Sequence, residues 1–172
     1  DSFYFAGDDI VYALIKNAML LDEDSAFRKE LKDLSFAEYR QKIKNFFGKD
    51  YNGQTVADRV LRKNFNIQYS IPLMCYFLEL LKRGCKDCNV RYVDVFADCP
   101  PNASVISEFK EKLGIDITPL AWRFKRDAIC TIVRKEIEPL LKKVATIVYS
   151  YACDVVLLSG RPSSCLLYTS PS

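Results

Sequence analysis

The chain contains no histidine. That absence excludes imidazole acid–base chemistry, the usual Ser–His or Cys–His nucleophile, and any zinc site built on imidazole. Long apolar runs are missing too: no stretch of 18 or more uncharged apolar residues occurs, so no segment reads as a membrane-spanning helix. Residues 1–20 lack the basic flank and small-residue cleavage site of a secretory leader. Charge of one sign is also scarce. The 25 basic and 22 acidic residues leave a net charge of +3, too small and too dispersed to predict a nucleic-acid or membrane-surface partner. Basic residues recur around Arg123, Lys125 and Arg126 and at Lys142 and Lys143, but acidic residues are interleaved with them, as on a solvated helix face.

What is present is apolar. With 172 residues, 49% hydrophobic and 13% aromatic, the chain can bury a sizeable core and is too apolar to be disordered. Seven cysteines without a framework-like spacing, in a chain large enough to need no staples, favour reduced thiols and a cytoplasmic location. Cys85-x-x-Cys88 has a metal-ligand spacing, but no second such pair exists, so a closed site would need Cys75 or Cys99. The alternative is two free thiols in a turn. A redox Cys-x-x-Cys opens a helix after a strand, whereas this one follows a helix.

The chain opens Asp1-Ser2-Phe3-Tyr4 and enters an apolar-periodic segment almost at once, so it is expected to be an internal piece of a longer protein. At the other end, Cys165 to Ser172 continues no pattern and resembles translated adapter read-through. These eight residues are expected to be non-native and are set apart from functional reasoning.

Asp8 and Asp9 offer N-cap oxygens, and Ile10, Val11, Leu14, Ile15, Ala18 and Leu21 recur at helical spacing, so a first helix begins near residue 9. Amphipathic stretches follow at Asp24 to Lys32 and Phe36 to Phe47, the second ending before Gly48. Gln54 to Asn64 and Pro72 to Arg83 read as helices separated by Pro72. Val90 to Phe96 alternates apolar and polar residues and is rich in β-formers, which predicts a half-buried strand. A helix over Ser104 to Leu113 stops at Gly114. Thr118-Pro119 then supplies an N-cap and first turn for a long helix with Ile129, Val133 and Ile137 on one face. Trp122, on an apolar helical face, is expected in the core. Pro139 predicts two helices meeting rather than one rod. Val155 to Leu158 is a continuous apolar run of the kind found in strands buried on both faces.

The order helix, buried strand, then Ser159-Gly160-Arg161-Pro162-Ser163-Ser164 is the most informative feature. A glycine at the carboxyl end of such a strand lets backbone approach a ligand without a Cβ in the way, and ligands of open α/β sheets sit at strand ends. An ordinary Gly/Pro/Ser turn is the competing reading. Val155 to Ser164 resembles the adenosine motif of the actin-like ATPases, the superfamily of actin, sugar kinases and heat-shock chaperones. Pro119 to Val144 resembles the chaperone segment that precedes that strand. Phe5-Ala6-Gly7-Asp8-Asp9-Ile10 looks like the small-Gly-acidic turn that opens the helix after the second phosphate loop. Glu79-Leu80-Leu81-Lys82-Arg83 resembles the chaperone helix whose Glu, Lys and Arg flank the adenine. Glu79 and Lys82 at i,i+3 also read as a surface ion pair. Within bacteria, Ala6-Gly7-Asp8-Asp9 paired with Leu158 to Ser163 is similar to the SrfB-type virulence-factor proteins. Ala6 and Ser159 depart from the pattern by replacing one glycine of each pair, and residues 23–71 match nothing in it.

The resemblance implies an α/β, helix-rich fold, a partial actin-like ATPase lobe with few strands. It divides the chain into a helix-rich part at about residues 23–118 and a nucleotide-fold part at residues 1–22 and 119–164. It implies that Gly7, Asp8, Glu79, Lys82, Arg83, Ser159, Gly160, Arg161 and Ser163 contact ATP or ADP, with Mg²⁺ held in the intact parent. No phosphate loop is visible, so no catalytic residue is expected within the chain and the piece alone should be inactive. Other protein subunits are possible partners. The alternative reading is a helical protein-interaction module without nucleotide binding.

Overall fold

The computed structural model describes residues 7–48 and 53–151. Gly7, Asp8 and Asp9 open α1 (Gly7–Leu14), which continues into a π-helical stretch at Ile15–Leu20. Ile10, Leu14, Ile15 and Met19 are buried along it. The predicted apolar face is present, but Asp8 and Asp9, expected as N-cap residues, lie inside the helix.

Two short-range devices set the next helices. In α2 (Ala26–Glu30) the Ser25 hydroxyl accepts from the Arg28 N–H. In α3 (Phe36–Phe47) Ser35 and Glu38 form a reciprocal capping box, satisfying donors that a helix start leaves free. Gly48 ends α3 because a Cβ there would collide with the Lys44 carbonyl oxygen, not because its φ is unusual. Gln54 and Arg62 then lock this end. The Gln54 amide donates to the carbonyls of Asn45, Phe46 and Gly48, at 2.6, 2.9 and 2.9 Å. Arg62 donates to the Gly48 carbonyl and, at 3.0 Å, to Gln54 Oε1.

α4 (Val56–Phe65) starts at a Thr55–Asp58 capping box. It does not stop before Pro72. A π-helical stretch, Asn66–Ser70, carries the chain straight into α5 (Ile71–Lys82), whose first turn holds Pro72. Proline at that position lacks only an N–H, and the wider π turn accommodates the displaced ladder.

Of the strand predicted over Val90 to Phe96, only Val90 and Arg91 are strand. β1 covers Cys88–Arg91, but Tyr92–Phe96 forms α6. The cause is Asp94, whose carboxylate accepts from the Arg91 backbone N–H at 2.8 Å and pairs with its guanidinium at 3.0 Å, an N-terminal cap. Tyr92 and Phe96 are four apart, so a helical turn places both rings against Tyr69, with centroids 6.5 and 5.0 Å away. An alternating pattern of five residues also fits such an i,i+4 pair.

α7 (Ala103–Leu113) ends as predicted at Gly114, which sits in the left-handed region at φ 73°. The long helix does not begin at Thr118-Pro119. The Thr118 hydroxyl donates instead to Asp116 Oδ1 at 2.7 Å, closing a turn, and Ala121–Phe124 forms β2, antiparallel to β1 with Val90 opposite Trp122. Trp122 and Phe124 are buried while Ala121 and Arg123 are exposed, the period-two pattern of a half-buried strand. Trp122 is therefore in the core, as expected, but from a strand. α8 (Arg126–Ser150) runs through Pro139 as one helix rather than two.

One hydrophobic cluster extends from Ile10 to Ile137. Its centre is aromatic: Phe65 and Phe109 stack at 3.7 Å and 7°, and Phe27 meets Trp122 edge-on at 5.0 Å. The fold is thus helix-rich with a two-stranded sheet among the described residues. No described helix is long and apolar enough to cross a membrane. The runs Val155 to Leu158, Ser159 to Ser164 and Cys165 to Ser172 lie outside the described residues.

Candidate functional site

The described residues among those named from sequence fall on two elements, α1 and α5. In α5, Leu73, Met74, Phe77 and Leu81 are buried, so the same helix presents Glu79, Lys82 and Arg83 outward near its C-terminus. Arg83 Nε donates to Glu79 Oε1 at 3.1 Å, with both side chains well exposed. The ion pair is therefore i,i+4 through Arg83, not the i,i+3 pair of Glu79 with Lys82. Gly84 then takes φ 72°, and the N–H groups of Gly84 and Cys85 return to the Leu81 and Leu80 carbonyls at 3.0 Å each. This is the glycine stop of a helix end.

Gly7 and Asp8 are the first residues of α1, which packs on both α5 and α8. α5 also packs on α8. The structure packs these three helices together, with the C-terminal end of α5 held at the start of α8 by Arg126. The part of the first helical stretch that meets the same start, through Lys125, is its far end at Asp22 and not Gly7. Ser159, Gly160, Arg161 and Ser163 themselves lie outside the described residues.

Sequence reasoning missed Arg126, which holds the α5–α8 junction. Its guanidinium donates to the Leu81 and Cys85 carbonyls at 3.4 Å each, while its backbone N–H is received by Asp87 Oδ1 at 2.9 Å. A cation against the carbonyl end of α5 is also favoured by that helix's dipole. In the sequence Arg126 reads only as one of several basic residues on a solvated helix face, and the start of α8 at this arginine emerges only once β2 is known.

A second missed feature is the salt bridge of Lys125, 2.6 Å from Asp24 and 3.8 Å from Asp22. The hydrogen bond from Lys125 holds the Asp24 carboxyl below its usual range and raises the lysine in turn. Lys125 and Asp22 border an open cleft of about 490 Å³ between Asn17, Ala18, Arg123 and the first turns of α8. Its lining mixes Asp22, Asp127 and Glu136 with Arg123, Lys125 and Lys135, so it has no dominant sign. Of the described candidate residues, Glu79, Lys82 and Arg83 do not line it.

Among the described residues, no group of three or more Cys, Asp or Glu side chains is placed to hold a metal ion. Burial raises the Cys88 thiol, and neighbouring Cys85 adds to the shift. That makes Cys88 a poorer thiolate, hence a poorer ligand and nucleophile.

Among the described residues, the architecture is of the helix-rich α/β class with one small antiparallel ribbon. A family model described as virulence factor SrfB matches residues 1–166, and the chain belongs to that family. No curated protein and no solved structure matches it.

Proposed function

We propose that the chain supplies the adenosine side of a nucleotide site in an actin-like ATPase and is not catalytically complete by itself. The supporting observation is the mutual packing of α1, α5 and α8, the elements that carry Gly7, Glu79–Arg83 and the lead into Gly160. More than 60 residues separate the α1 and α5 motifs along the chain, and about as many separate the α5 motif from Ser159. Their helices nevertheless share one core. In this reading the aliphatic stem of Lys82 or the guanidinium plane of Arg83 lies against adenine, and the Glu79–Arg83 pair orients the arginine. The glycines at residues 7 and 160 admit the nucleoside and phosphate backbone without a Cβ. ATP or ADP would bring Mg²⁺ held by the parent's phosphate loops, outside this chain.

The test is nucleotide titration of the intact parent by calorimetry. Gly160→Val and Lys82→Ala are each expected to weaken ATP binding about tenfold or more, equivalent to about 1.4 kcal/mol, with circular dichroism unchanged. Absence of ATP binding by the folded parent, or unchanged affinity in both variants, overturns the proposal. The alternative, a protein-interaction module, draws on one observation. Val56, Val60 and Ile67 are more than half exposed on one side of α4 and the π stretch that follows, and partner surfaces are commonly apolar at their centre. Loss of a protein partner in Val60→Asp, with ATP binding absent throughout, is the result that selects it.

A further inference from the structure

The burial of α8 changes abruptly at one residue. Ile129, Val133 and Ile137 are 1%, 1% and 3% exposed, and all belong to the core cluster. Beyond Pro139 no side chain of α8 is buried. Leu140, Val144, Ile147 and Val148 are half-buried but do not join the described cluster, and Tyr149 is 88% exposed. A helix of 25 residues, about 38 Å long, is thus fastened over its first half alone among the described residues.

The change coincides with the one proline inside the helix. Pro139 has no N–H, so the Lys135 carbonyl loses its usual i+4 donor, and the ring crowds the same carbonyl. The hydrogen-bond ladder is therefore weakest at the boundary between the fastened and unfastened halves. Apart from the remaining ladder, the side-chain link across it is the Glu138–Lys142 pair, 2.6 Å apart with side chains 52% and 75% exposed. Exposed pairs of this kind hold little. Thr146 adds a further bias, because its hydroxyl donates back to the Lys142 carbonyl at 2.9 Å, a contact that bends helices.

We propose that Pro139 is a hinge: residues 126–138 of α8 stay locked to α1 and α5, while residues 140–151 reorient as a unit. The hinge does not depend on nucleotide binding.

Hydrogen exchange on the intact protein, read by mass spectrometry, tests this. The expected profile is a step, with amides of residues 128–137 exchanging about tenfold or more slowly than those of residues 140–151. Pro139→Ala restores the missing donor and is expected to shrink the step several-fold, while the exchange of α1 and α5 stays the same. A smooth gradient rising toward residue 151 indicates end fraying and overturns the hinge. Uniform protection along α8, or a step unchanged in Pro139→Ala, overturns it as well.

Discussion

The indole Nε1–H of Trp122 donates to the hydroxyl of Tyr69 at 2.8 Å, with both residues buried and 53 positions apart in the chain. This bond ties β2 to the π-helical stretch between α4 and α5. Burial pushes the Tyr69 phenol well above its ordinary range, so it stays neutral and able to accept. Tyr69→Phe removes the acceptor and leaves a buried indole N–H without it, at a cost of about 1–3 kcal/mol. Trp122→Phe removes the donor and also opens space, so it is expected to cost more. Urea unfolding followed by circular dichroism measures both, and the double variant should show clear coupling. Additive effects would mean that the bond contributes nothing.

The end of α3 depends on Gln54 and Gly48. Gln54→Leu keeps much of the volume but strips three carbonyls of a common donor, with an expected loss of about 2 kcal/mol. Gly48→Ala forces the Lys44 carbonyl to move, and a loss of about 1–3 kcal/mol is expected. An alanine variant as stable as the parent would show that this turn adjusts freely.

Acid should weaken the fold through Asp58 and Asp116. The hydrogen bond from Lys112, 2.7 Å away, is the main reason that Asp58 lies at about 2, and the Thr55 backbone N–H adds to it. Lys110 acts likewise on Asp116, also at about 2, aided by Thr118. Both values lie below the usual 3.8. The folded state therefore binds these protons less readily than the unfolded chain. Their contribution is complete above about pH 4 and is lost as pH falls through 2. The urea midpoint should drop over that interval, and Asp58→Asn should make the drop shallower. An identical slope in the variant would remove Asp58 from the account.

Elements whose boundaries are written locally were legible. α3 ends at Gly48 and α7 at Gly114, in each case where a glycine follows the last apolar-periodic residue, and the structure places both stops there. The sheet was not legible, because Trp122 becomes a strand residue only by pairing with Val90, 32 positions earlier. Without that partner, Thr118-Pro119 looks like a helix start. α6 was missed because one carboxylate, Asp94, outweighs the β-propensity of its neighbours. Pro139 was read as a break. The long helix absorbs it, and the break shows in side-chain burial rather than in backbone. For the candidate site, the exposure of Glu79 followed from reading it as half of a surface ion pair, although its partner is Arg83 rather than Lys82. The Arg126 clasp did not, since it joins groups more than 40 positions apart.

Trp122 is the sole tryptophan of the chain, and its ring lies between Phe27 and the Tyr69 hydroxyl. The protein thus carries a built-in optical reporter at the meeting point of β2, α2 and the α4–α5 rod. Its emission can be excited selectively at wavelengths where the ten tyrosines scarcely absorb, and needs no label. Any event that loosens the ribbon from that rod should shift the spectrum toward longer wavelengths. Movements confined to the far half of α8 should leave its emission unchanged.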